Sequence, residues 1–267
     1  MVGRLVLILS VVALASCGDY NKVFKSKNAH LKFEKAVELY QKKDFARALP
    51  LFEQLRDIYR NSDSLETVYY YTAYSHFGTG DYEYASMYFK DFTENFSNSR
   101  KLVECAYMAV YCDFLSVGDP ELDQSQTYKI IGALQTFINY YPETAYAGKC
   151  NDHIDALRRK LQQKEYNIVI QYFRMGDYRA TVVSAKNTIK SFPDLEQKEE
   201  LEYLAVKAQL LYAINSIEKK KGARLGEAAE LVKDYLYTNG TTGKHYKDVI
   251  ALKEKINNEQ NKLNENI

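Results

Sequence analysis

The residues of this chain able to do nucleophilic or metal chemistry are few: four cysteines and four histidines. Cys17 is the thiol best placed to react. It follows Leu14-Ala15-Ser16 at the end of an apolar run, where small side chains admit a peptidase and leave the thiol free for acylation. Cys105 and Cys112 are seven apart, about 10 Å along a helix and beyond the ~7 Å reach of a disulfide. With Cys150 they read as buried thiols acting as small hydrophobes. His30, His76, His153 and His245 match no metal-ligand or nucleophile spacing. His76 and Ser75, adjacent on a helix, point about 100° apart, which is poor geometry for a base and its nucleophile. Gly222 and Gly226 form no phosphate loop, and no carboxylate pair stands out as an acid–base couple. No catalytic residue, metal, cofactor or small-molecule substrate is therefore expected. A net charge of +1 offers no basic field for nucleic acid.

The start of the chain sets the compartment. Residues 1–16 carry Arg4, then Leu5-Val6-Leu7-Ile8-Leu9 and Val11-Val12-Ala13-Leu14, the pattern of an exported signal peptide. The run is shorter than the ~20 apolar residues of a membrane span. Leu14-Ala15-Ser16-Cys17 resembles the bacterial lipobox, which implies that the mature chain begins at a lipidated Cys17 with 17–30 as its tether. A single acyl chain anchors only marginally; a lipoprotein cysteine carries up to three, implying a firm anchor.

Positioning elements are signalled by a repeated triplet. Gly80-Asp81-Tyr82 returns as Gly176-Asp177-Tyr178, with Lys43-Asp44-Phe45 as a degenerate copy. Seventeen steps after each start stand Arg60, Ser97 and Pro193, each behind an aromatic: Tyr59, Phe96 and Phe192. Apolar periodicity predicts helices over 31–42, 45–59, 65–77, 82–96, 101–115, 127–141, 148–175, 179–192, 195–220, 227–237 and 246–263. Loops are expected at 117–126 and around Lys219-Lys220-Lys221, Gly222 and Gly226. Small residues fall where paired helices would cross (Ala36, Ala48, Ala73, Ala85, Ala228), with Val110, Ile130 and Thr181 as larger exceptions. Triplet-phase starts near 43, 80, 125, 176 and 223 give uneven repeats beside the standard 34 residues. The fold class is all-α: a tetratricopeptide-like α-solenoid of about five irregular helix pairs with a C-terminal helix.

On the first helix of each pair, the same phase aligns Phe33, Val37 and Tyr40; Tyr70, Tyr74 and Phe77; Tyr107, Tyr111 and Phe114. Each set shares one helical face. They are candidates for an aromatic groove that would hold an extended polypeptide, tyrosine offering apolar area and a hydroxyl together. The competing assignment is that these rings are core between helices. Tyr70, Tyr74, Tyr107 and Tyr111 are the foremost candidates for the groove.

Uneven helix pairs behind a lipobox resemble the BamD lipoproteins of outer-membrane β-barrel assembly. The likeness is most specific in Leu122-Asp123-Gln124, Thr127-Tyr128-Lys129, Leu134-Gln135-Thr136-Phe137-Ile138, Tyr141-Pro142-Glu143-Thr144 and the opening Cys17-Gly18-Asp19-Tyr20-Asn21-Lys22-Val23. These stretches are most similar to Bacteroidetes-type members. The resemblance implies an outer-membrane, periplasm-facing scaffold. Its N-terminal repeats, 31–145, would receive the aromatic-rich end of unfolded β-barrel clients. Its half 146–267 would dock the barrel-forming subunit, BamA, with Arg158, Arg159 and Lys160 and the 219–221 lysines as candidate contacts. A repeat lipoprotein that recruits peptidoglycan enzymes is the alternative.

Overall fold

The computed structural model describes residues 19–265. The signal segment 1–16 and the lipidation candidate Cys17 lie outside the described residues. Residues 19–25 are helical, and eleven longer α-helices follow: α1 Ala29–Gln41, α2 Phe45–Ile58, α3 Ser64–Thr79, α4 Tyr82–Asn95, α5 Leu102–Leu115, α6 Ser125–Tyr140, α7 Ala145–Arg174, α8 Tyr178–Ser191, α9 Lys198–Ile214, α10 Glu218–Asn239 and α11 Tyr246–Glu265. A 3₁₀ turn, Gly240–Thr242, separates the last two. No strand occurs among the described residues. Consecutive helices pack on one another over α1–α6 and over α8–α11 and bury facing stripes.

The chain divides into two compact units. The first runs to Gly118 and resumes over Gln124–Asp155; the second takes Asp119–Asp123 and everything from Ala156. In the first unit Ala36, Leu39, Ala48, Leu51, Phe52, Leu55 and Val68 form a core cluster under α1–α3. In the second, Val206, Leu210, Ala213, Leu225, Ala228, Val232, Tyr235, Val249 and Ile256 do the same for α9–α11. The small crossing residues Ala36, Ala48, Ala73, Ala85 and Ala228 are all fully buried. A larger side chain at any of these positions would force the paired backbones apart.

The repeated triplet is a repeated helix stop. At Gly80 the backbone N–H bonds Phe77 O and Asp81 N–H reaches back to His76 O, 3.1 and 3.0 Å. Gly176 and Asp177 repeat this onto Phe173 and Tyr172, and Lys43 and Asp44 onto Tyr40 and Leu39. This doubly bonded cap needs a left-handed residue at its pivot; φ is +82° at Gly80, +76° at Gly176 and +59° at Lys43. Lysine holds at residue 43 a conformation that costs an L side chain about 1–2 kcal/mol. Lys43→Gly is thus expected to stabilise the protein by about 0.5–1 kcal/mol, after glycine's own entropy cost of about 0.5–1 kcal/mol. A rise in the denaturant midpoint with unchanged m would register it.

The sequence reading misplaces one boundary. The expected helix 195–220 ends at Ile214, and the expected loop at Lys219–Gly226 is instead the first two turns of α10. The reason is local. The Ser216 hydroxyl caps Tyr212 O and accepts from Arg224, whose guanidinium also donates to the Tyr212 hydroxyl at 2.6 Å and lies over its ring, 3.8 Å from the centroid. The chain therefore turns at Ser216. Burial of Leu225 and Ala228 then outweighs the ~1 kcal/mol that each helical glycine costs.

A deeper regularity emerges between first helices. Tyr70 on α3 donates its hydroxyl to Glu104 Oε1 on α5 at 3.0 Å, and Tyr166 on α7 donates to Glu200 Oε1 on α9 at 3.0 Å. Both partners are 34 residues on, the standard tetratricopeptide period. A shift of 96 residues carries 70 to 166, 80–82 to 176–178, 104 to 200 and 107 to 203 onto identical residue types. The segment α3–α5 of the first unit thus recurs in the second as the later half of α7 with α8 and α9.

Candidate functional site

In the first unit the predicted aromatic residues make one continuous chain of ring contacts once Tyr71 links them. Phe33 on α1 meets Tyr71 at 6.5 Å between centroids, and Tyr71 meets Tyr40 at 4.8 Å. Tyr71 leads to Tyr70, Tyr70 to Tyr74 at 4.7 Å, and Tyr74 to Phe77. Phe77 reaches Tyr111 on α5 at 6.1 Å, which stacks on Tyr107 and Phe114. Seven of the eight predicted rings are partly exposed: Phe33, Tyr40, Tyr70, Tyr74, Phe77, Tyr111 and Phe114. Tyr107 is the exception at 6 % exposure. It lies between Tyr111 and Tyr146, with its hydroxyl 3.3 Å from His153 Nε2. Phe33 also packs against the α1–α3 core.

Besides Tyr146, which stacks on Tyr107, sequence reasoning missed three contributors. Tyr71 ties α1 to α3, stacking on Phe52 with planes 13° apart. His153 lies flat against Phe114, 4.3 Å between centroids, and burial lowers its pKa. A neutral imidazole here is one more flat ring. Glu104 is the third, a carboxylate in the middle of the aromatic strip. The hydroxyls of Tyr70 and Tyr74 both donate to its Oε1, and Lys101 Nζ sits 3.9 Å from the Tyr70 ring centroid. Burial first, and then hydrogen bonding to Glu104, push both tyrosine pKa values well up, so the hydroxyls stay neutral donors. Glu104 Oε2 has no hydrogen-bond partner among the described residues. The strip thus offers ring faces and one carboxylate oxygen, while the hydroxyls of Tyr70, Tyr74 and Tyr107 are engaged internally. That suits an extended segment with aromatic side chains and backbone N–H groups to donate.

The docking candidates of the second unit are placed differently. Arg158 on α7 pairs with Asp194 at 3.1 Å, both side chains largely in solvent, a pair worth little to stability. Arg159 is exposed beside it. In the lysine run, Lys221 is bound to Glu259 of α11 at 2.7 Å, whereas Lys219 and Lys220 face solvent.

The remaining chemistry-bearing residues are structural. Cys105, Cys112 and Cys150 are buried and unpaired, and burial pushes their thiols up to about 12, 12 and 11. His76 is 5 % exposed and stacked between Tyr84 and Tyr88, with ring planes 16° and 17° from parallel. Burial lowers its pKa, and neither ring nitrogen has a hydrogen-bond partner among the described residues. His245 stacks on Tyr203 at 4.5 Å. No group of His, Cys, Asp and Glu able to hold a metal occurs among the described residues, and no described helix is long and apolar enough to cross a membrane.

Comparison with known proteins adds context to this geometry. A family model described as YfiO, outer membrane lipoprotein, matches residues 25–225. The chain is similar to the outer membrane protein assembly factor BamD of Caulobacter vibrioides, 22 % identical over 223 residues covering 82 % of this chain and 73 % of that protein. It is also similar to the Aquifex aeolicus protein named for the same factor, 25 % identical over 207 residues covering 77 % of this chain and 68 % of that protein. Among solved structures, the TPR2AB domain of yeast Sti1 in its pHSP90 complex matches with a TM-score of 0.39 at 13 % identity, over 86 % of this chain and 98 % of that one.

Proposed function

The chain belongs to the YfiO family of outer membrane lipoproteins, and from that membership we propose that it is a non-catalytic scaffold for assembling β-barrel proteins into the outer membrane. Cys17 would carry the lipid that holds it at the inner face of that membrane. The strip from Phe33 to Phe114 would receive the aromatic-rich end of an unfolded barrel protein, and the second unit, with Arg158 and Arg159, would dock the BamA-like barrel-forming subunit. The observation that carries the reading is the run of half-exposed rings around Glu104, within a chain whose relatives are named for this assembly step. Half-exposed aromatics at fixed spacing supply much contact area at small entropic cost.

The test is affinity isolation of the lipidated protein from solubilised membranes, together with its depletion. Recovery of a barrel-forming subunit and a fall in outer-membrane porins are expected. Recovery of cell-wall enzymes with porins unchanged would instead favour a scaffold for peptidoglycan machinery and overturn the proposal.

A further inference from the structure

The 96-residue recurrence carries one site twice, with opposite charge. In the second unit, α8 and α10 flank a groove floored by α9, with a cavity of about 460 Å³. Arg179 and Lys186 line it from α8, Lys220 and Arg224 from α10, and Val183 and Leu231 give it an apolar strip. The only carboxylate among its lining residues, Glu227, accepts the Gln209 amide at 2.7 Å. Arg179, Lys186 and Lys220 form no ion pair among the described residues.

The equivalent groove of the first unit has a cavity of about 410 Å³. There Glu83 stands for Arg179 and Asp113 for Gln209, with Asp91 and Glu94 alongside. Its single lysine, Lys90, the counterpart of Lys186, is held by Asp113 at 2.8 Å. Counting lining side chains, the first groove carries one cation against four carboxylates, the second four cations against one. At matched positions Arg179 and Gln209 replace Glu83 and Asp113, and Lys220 and Arg224 of α10, outside the recurring segment, complete the reversal of the field.

We propose that the α8–α10 groove is a docking site for an acidic, amphipathic segment of a partner polypeptide. Its carboxylates would meet Arg179, Lys186 and Lys220, and its apolar side chains would cover Val183 and Leu231. Unpaired cations beside an apolar strip on the two walls complement such a segment on both counts. The wall from Arg179 to Lys186 spans about 10 Å at 1.5 Å per residue, room for about two helical turns. An isolated small anion would leave the apolar strip unused, and a flat lipid surface does not fit a groove between two helices. The inference does not depend on the aromatic strip, which lies on other helices.

The probe is a fluorescent 14-residue synthetic helix with leucines on one face and glutamates elsewhere, titrated onto the full chain by anisotropy. Saturable binding that weakens with added salt is expected, and Arg179→Glu with Lys186→Glu should weaken it at least tenfold. Glu83→Lys with Glu94→Lys, and Tyr70→Ala with Tyr74→Ala, should leave it unchanged. Should the double reversal lose its helical circular dichroism, Lys186→Gln alone is expected to weaken binding about threefold. Equal affinity for a lysine-bearing version of the peptide, or an unchanged double reversal, overturns the proposal. So does displacement of the peptide by inorganic phosphate or by vesicles of anionic phospholipid. Self-association of the chain that the same reversal abolishes would assign the groove to a second copy and overturn it as well.

Discussion

Tyr235→Ala is expected to destabilise the protein by about 3–5 kcal/mol, the range for removing a buried large aromatic. Tyr235 is 1 % exposed and centres the cluster that joins α9, α10 and α11. Its hydroxyl donates to Glu199 Oε1 at 2.6 Å, and His245 N–H donates to the same oxygen at 2.9 Å. Alanine would leave a cavity and strip a partly buried carboxylate of one donor. Tyr235→Phe separates the two effects: it keeps the ring and should cost about 1–2 kcal/mol, the penalty for an unsatisfied group. Urea unfolding followed by circular dichroism reads both, the alanine change appearing as a fall in midpoint several times larger than the phenylalanine one. Acid adds a second readout. Burial pushes Glu199 up, but donation from Tyr235 and His245 outweighs it, and the carboxyl sits below its ordinary 4.5. A group whose folded pKa is depressed stabilises above its unfolded pKa, and that contribution is lost as pH falls through the folded value. The wild-type loss of stability below pH 4.5 should therefore be shallower in Tyr235→Phe.

The largest functional effect is expected at the other end of the chain. Tyr70→Ala with Tyr74→Ala should weaken binding of a peptide that ends in an aromatic-rich strand by about 30-fold or more. Two anchor rings worth about 1–2 kcal/mol each give that factor. Glu104→Ala is the informative partner, since it keeps both rings and releases both hydroxyls. If the carboxylate also accepts from the bound segment, this variant loses affinity although every aromatic remains. Isothermal titration against a synthetic 12-residue peptide, with circular dichroism to confirm folding, decides between ring contact and the acceptor. Unchanged affinity in the double tyrosine variant would remove the strip from the proposed function.

Much of this was legible from residue spacing, because helix stops and crossing points impose chemistry on single positions. The triplet at 80–82 and 176–178 marks turns that need a left-handed pivot, so most helices begin and end within three residues of expectation. Reading failed where tertiary contacts overruled local signals. Gly222 and Gly226 look like a loop, yet Arg224 fixes the preceding turn and Leu225 is driven into the core. The candidate strip was legible as a set of rings, since one helical face repeats every three to four residues. Glu104 was not, because a carboxylate on a mostly apolar helix gives no sign of its partners 30 and 34 residues earlier. Tyr146 and His153 were missed for a related reason: they open α7, which the pattern assigns to the later repeats, but fold with the first unit.

The three cysteines of the first unit have a consequence for where such a chain can survive. Thiol exchange proceeds through the thiolate, and at Cys105, Cys112 and Cys150 that form is nearly absent at neutral pH and enclosed on all sides. An oxidising environment that cross-links accessible sulfhydryls finds no foothold at these three positions. These three thiols are redox-silent while the fold is closed and become vulnerable only when it opens.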